Sequence, residues 1–174
     1  LGFVDDDPSR HGTQVDGLPV FGPLQWLIER ASERPLVILA LASARAKQVL
    51  AARLDAVGVQ WAQAIHPSTQ VASGVTFGAG AIVNAGVCLA FDTKIGLHTT
   101  LNLGATVGHD CVVGDYSTIA PGVNVAGRVM IGEGVEIQTN ATIVPGVQVF
   151  PPSVVRSTWP AITPGTIPGE RRAM

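Results

Sequence analysis

Residues 101–116 read LNLGATVGHDCVVGDY, and within this run of small and branched residues His109 and Asp110 stand side by side. A carboxylate beside an imidazole favours the protonated ring, so the pair suits a general base that takes a proton from an amine or hydroxyl nucleophile. The competing reading makes His109 an exposed corner residue and Asp110 a turn former paired with Arg128. Cys111 follows directly and is expected to face inward as an inert thiol.

The residues around this pair explain how it is presented. From Val71, Phe77 and Val83 through Val149 to Val155, every sixth residue is large and apolar, fifteen in succession without an insertion. Four residues after each comes a small or branched one, such as Ala105, Cys111 and Ser117. Each unit therefore reads as a short strand, small-x-aliphatic, whose first and third side chains point inward and whose middle one points outward. A three-residue corner follows, often opening with Gly, which tolerates backbone angles that a Cβ resists. Three units close a coil of 18 residues, and the period predicts a parallel β-helix of hexapeptide repeats whose coils stack at ~4.8 Å.

Residues 18 apart then lie one above another. Phe91, His109 and Gly127 share one column, and Asp92, Asp110 and Arg128 the next. Gly127 is thus expected to offer a bare backbone N–H one coil from the imidazole, suited to a carbonyl oxygen that gains negative charge. Asn84 and Asn102 stack at another corner, where a structural role is an equal alternative. His98, at a third edge, is expected to be solvated, and His66, in IHPST, to cap or link the start of the repeat. No pair among His66, His98 and His109 has the five-residue spacing of metal-binding relatives of such folds, so no metal is expected.

Residues 1–62 have a different rhythm. Leu1–Val4 and Leu36–Leu41 are apolar runs fit for buried strands, while Gly22–Arg30 and Ala44–Val57 read as helices, with Pro23 at one start and Gly58 at one end. Strands alternating with helices predict a small α/β unit with a parallel sheet, and DDDPSRHGTQVDG predicts a loop. The boundaries are 1–62 for this unit, 63–160 for the β-helix and 161–174 for an irregular tail.

Composition narrows the partners. With 11 basic and 13 acidic residues in 174, a net charge of -2 gives no electrostatic footprint for nucleic acid or an anionic membrane. No apolar run reaches the ~18 residues of a membrane span. Cys88 and Cys111 form no CxxC pair or disulfide framework, which points to the cytoplasm.

The stretches GFVDDDP, GLPVFG, HPS, NLGATVGHDCVVGDYSTIAPGVNVAGRVMIGEGVEI and TNATIVPGV resemble the bacterial sugar acetyltransferases of the sialic acid O-acetyltransferase (NeuD) and amino-sugar N-acetyltransferase (PglD) type. The resemblance covers about residues 1–148 and is most specific from Asn102 to Ile137. It implies a left-handed coil and a preceding Rossmann-like domain that this chain enters after its first strand and Gly-rich turn. It also implies transfer from acetyl-CoA to a sugar, often nucleotide-activated, by direct attack, in a homotrimer whose sites lie between subunits. On this resemblance His109 is the general base and Asp110 its acidic neighbour. Gly127 contacts the thioester carbonyl, Asn102 is the active-site asparagine, and Thr118 and Thr139 lie along the cofactor. Asp5 and Asp6 lie near the nucleotide base. N-transfer to a nucleotide-linked amino sugar is the first reading; sugar O-transfer and a non-catalytic β-helix are the alternatives.

Overall fold

The structure, a computed structural model, describes residues 1–156. The expected end of the β-helix, 157–160, and the expected tail, 161–174, lie outside the described residues. The described residues divide into two compact units, residues 1–37 with 51–60, and residues 38–50 with 61–156.

The six-residue period of the second unit becomes a parallel β-solenoid. Each repeat contributes a two-residue strand, and each strand pairs with those 18 residues before and after it: Thr106–Val107 lies on Cys88–Leu89 and under Asn124–Val125. Three stacked sheets result, two of five strands and one of six. We name them by their outward residues: the Thr106 face, the Val112 face and the Thr118 face. Ala105, Val107, Cys111, Val113, Ser117 and Ile119 all point inward and are buried. One apolar core runs along the axis from Ala81 to Val155, and each fully buried aliphatic chain in it contributes roughly 1.5–3 kcal/mol.

Polar groups admitted to this core are satisfied by a repeating contact. The hydroxyls of Thr93, Thr99 and Ser117 each donate to the carbonyl 15 residues later, at 2.8, 3.1 and 2.8 Å. Cys111 does the same, its Sγ donating to Ala126 O at 3.1 Å, and burial pushes its thiol pKa up. The thiol is a core group, as its register predicts.

Corners need glycine for a reason the sequence reading did not separate. The residue that closes a corner takes a left-handed backbone, with φ 58° at Asp92, 56° at Asp110 and 60° at Arg128. The residue that opens it needs space instead. A Cβ on Gly108 would fall 2.6 Å from Ala126 C and Gly127 N of the next coil.

The first unit is less regular than its apolar runs predict. Leu1–Val4 yields one parallel bridge, Phe3 to Val20. The run Leu36–Leu41 forms a strand only at Leu36–Val37, because its sheet has just one other strand, beginning at Gln60, and Leu36 and Leu41 remain exposed. The helices are α1 (Leu24–Ile28) and α2 (Ala44–Asp55), the latter giving residues 44–50 to the second unit. At the end of the expected loop an antiparallel pair forms, Gln14–Val15 within it and Leu18–Pro19 just beyond, turning through Asp16 and Gly17 at φ 49° and 77°. The Asp-Gly step between Val15 and Leu18 is the sequence signal for that hairpin.

Candidate active site

The His109 edge joins the Thr106 and Val112 faces. Gly108, His109 and Asp110 form its corner, and the left-handed backbone of Asp110 turns its side chain back along the edge. His109 Nδ1 lies 2.7 Å from Asp110 Oδ2. An ionised carboxylate only accepts, so Nδ1 donates, and in the neutral ring the lone pair is then on Nε2. Among the described residues Asp110 pairs with His109, while Arg128 meets this corner through its backbone N–H, which donates to His109 O at 2.8 Å.

One coil above, Gly127 faces that lone pair. A Cβ built there would sit 2.5 Å from His109 Nε2, so only glycine leaves the ring where it is. Among the described residues no acceptor engages the Gly127 N–H. The equivalent N–H on another edge, that of Leu97, holds a carboxylate oxygen of Asp115 at 2.7 Å, which illustrates what such a corner amide can bind. One coil below, Phe91 stacks on His109 at 5.2 Å between ring centroids and 14° between planes. An open depression of about 540 Å³ along the Thr106 face reaches this edge at Ala90 and Gly108.

The other expected site residues lie elsewhere in the second unit. Asn102 and Thr139 share a different edge, at the far side of the Thr106 face. Asn102 belongs to an amide ladder: Asn84 Nδ2 donates to Asn102 Oδ1, and Asn102 Nδ2 to Ile119 O, each at 3.2 Å. Thr118 projects from the face opposite the His109 edge. Within one chain, then, His109, Asp110 and Gly127 come together, and Asn102, Thr118 and Thr139 do not join them.

Asp5 and Asp6 lie in the first unit and both have internal partners. Asp5 pairs with Arg10 at 2.6 Å and accepts from the Asp7 N–H at 2.9 Å. Asp6 accepts from the Leu24 N–H at 2.7 Å, at the start of α1.

The expectation for His98 is overturned. It is 4% exposed, edge-on to Trp61 at 4.4 Å and stacked with Tyr116 at 5.3 Å. Register within the repeat shows only the corner, whereas Trp61 precedes the repeat and covers it. His66 does cap the start of the solenoid, its Nδ1 taking the Ser68 N–H at 3.1 Å. Among the described residues no three His, Cys, Asp or Glu side chains converge as metal ligands.

Sequence reasoning missed Lys47. Although charged, it is fully buried on α2, where its Nζ donates to His98 O, Thr100 Oγ1 and Thr118 Oγ1 at 3.0, 3.1 and 3.3 Å. Burial pushes its pKa down to about 8. A lysine within a helix of mixed polarity gives no sign of this, because its acceptors are 51 to 71 residues away.

No family model and no curated protein matches the chain. Solved structures do. A variant of perosamine N-acetyltransferase from Caulobacter crescentus with one histidine replaced by asparagine, in complex with CoA and GDP-perosamine, superposes with a TM-score of 0.84 at 29% identity, over 97% of this chain and 77% of that one. The corresponding histidine-to-alanine variant gives 30% identity, TM-score 0.56, over 95% and 80%. The acetyltransferase domain of PglB from Neisseria gonorrhoeae, in complex with acetyl coenzyme A, gives TM-score 0.82 at 27% identity, over 88% and 73%.

Proposed function

From the premise that the chain belongs to the hexapeptide-repeat acetyltransferase family that includes perosamine N-acetyltransferase, we propose that it is an acyltransferase moving an acetyl group from acetyl-CoA to the amine of a nucleotide-linked sugar. The observation that carries this reading is the register of His109 Nε2 against Gly127, whose N–H no acceptor engages among the described residues, with Nδ1 held by Asp110.

The chemistry needs a base and an electrophilic clamp, and this edge has both. Acetyl-CoA supplies the activated carbonyl. The Gly127 N–H donates to its oxygen as negative charge builds there, and a side chain at that position would fill the cradle. His109 Nε2 takes the proton from the attacking nitrogen as the C–N bond forms. When the C–S bond breaks, the same imidazolium returns that proton to the departing thiolate. Asp110 holds the tautomer that makes the first transfer possible and balances the charge that follows.

Thr118 drops out of the reading, because its hydroxyl accepts from the buried Lys47 ammonium. Asn102 and Thr139 as cofactor contacts, and Asp5 and Asp6 as base contacts, complete it. So do a left-handed coil and a Rossmann-like origin for the first unit. Asn102 and Thr139 occupy an edge separate from His109, which favours a homotrimer in which neighbouring chains complete each site. Binding of CoA and GDP-perosamine by the superposed enzyme supports both ligand classes.

Thiol release from acetyl-CoA with GDP-perosamine and UDP-linked amino sugars tests the assignment. His109→Ala is expected to lower kcat/KM by ~10²-fold or more. An unchanged rate would remove His109 from the mechanism.

A further inference from the structure

Resting on the assignment of His109 as base, we infer that Phe91 is a positioning residue, which fixes the plane of the imidazole so that Nε2 stays aligned with the Gly127 amide.

The need for such a residue follows from how little else holds the ring. The His109 side chain is 38% exposed, and its one hydrogen bond among the described residues goes to the adjoining residue of its own corner. That bond sets the direction of Nδ1 but leaves the ring free to tilt about it. Gly127, having no side chain, meets the end of the ring with bare backbone and does not set its plane. Phe91 supplies the missing restraint from the coil below: the rings lie within 14° of parallel at 5.2 Å. A flat ring sharing a column with a flat ring permits sliding but resists tilting, and tilting is the motion that would carry Nε2 off the acetyl carbonyl.

The corner itself does not demand an aromatic. Leu97 and Leu103 hold the equivalent position on the other two edges, 41% and 57% exposed, beside 52% for Phe91. An aliphatic residue is therefore compatible with the solenoid there, and Phe91→Leu should fold while removing only the planar surface.

The experiment compares wild type, Phe91→Leu, Phe91→Tyr and His109→Ala with acetyl-CoA and GDP-perosamine as substrates, alongside NMR of histidine labelled in the ring. Phe91→Leu is expected to lower kcat about tenfold or more with KM for acetyl-CoA unchanged, and Phe91→Tyr to restore it. The His109 ring protons, shifted upfield by the aromatic face in wild type and in Phe91→Tyr, should lose that shift in Phe91→Leu. Full turnover in Phe91→Leu, with His109→Ala inactive, would overturn the role of Phe91 and leave the base assignment standing; so would a Tyr variant as slow as the Leu variant. Full turnover in His109→Ala would overturn the base assignment and this role with it.

Discussion

At the scale of single residues, two glycines one coil apart separate folding from chemistry. Gly108 opens its corner against backbone: a Cβ would meet Ala126 C and Gly127 N at 2.6 Å, atoms that move only if the coils part. Gly127 lies against the end of a half-exposed side chain, with His109 Nε2 at 2.5 Å, and that side chain can swing away. Gly108→Ala should therefore destabilise the protein by about 1–3 kcal/mol. Gly127→Ala should unfold within about 2 °C of wild type yet lose ~10²-fold in kcat/KM, because the displaced imidazole no longer faces the nucleophile. Thermal melts and the thiol-release assay on both variants check the pair; a Gly127→Ala protein with native turnover would show that the alignment of ring and amide is incidental.

Among the elements, α2 is fastened to the solenoid by a buried ammonium that has hydroxyl and carbonyl partners but, among the described residues, no carboxylate. Its pKa of about 8 lies below the ordinary 10.5. Between those values the unfolded chain holds a proton that the folded one has released, so stability rises with pH across that window; below about 8 both states are protonated and the burial cost is fully present. The rise is on the order of 3 kcal/mol. Denaturant unfolding between pH 7.5 and 10 should show it in wild type and not in Lys47→Met, and equal slopes would place the ammonium in water. This contact also marks where the sequence stops being legible. The solenoid could be read residue by residue because every coil repeats the same inward pair, and the column of Phe91, His109 and Gly127 followed from counting 18. The same counting placed His98 in solvent, since Trp61 lies outside the repeat, and it was silent on Lys47, whose acceptors belong to no local period. In the first unit the strands are too short for alternation to show, so Leu36–Leu41 reads longer than the pairing its sheet permits.

For the whole molecule, the separation of the candidate residues onto different edges of one prism has a consequence that can be measured. His109, Asp110 and Gly127 form one cluster, while Asn102 and Thr139 lie across the Thr106 face on another edge. A corner residue cannot reach around a face built from stacked two-residue strands, so if Asn102 serves the same reaction as His109 it does so from a second copy of the chain. Two inactive proteins should then repair each other. His109→Ala and Asn102→Ala chains, unfolded together and refolded as a mixture, would assemble some sites with an intact histidine from one chain and an intact asparagine from the other. Because each such site draws one wild-type edge from each parent, turnover should recover to a substantial fraction of wild type, whereas each parent refolded alone stays inactive. The amide ladder from Asn84 through Asn102 to Ile119 makes the control important: circular dichroism must show that Asn102→Ala still folds. A folded Asn102→Ala protein that turns over like wild type would confine the chemistry to the His109 edge and make Asn102 a structural rung of the solenoid, and folded, inactive parents whose mixture stays inactive would rule out sites shared between chains.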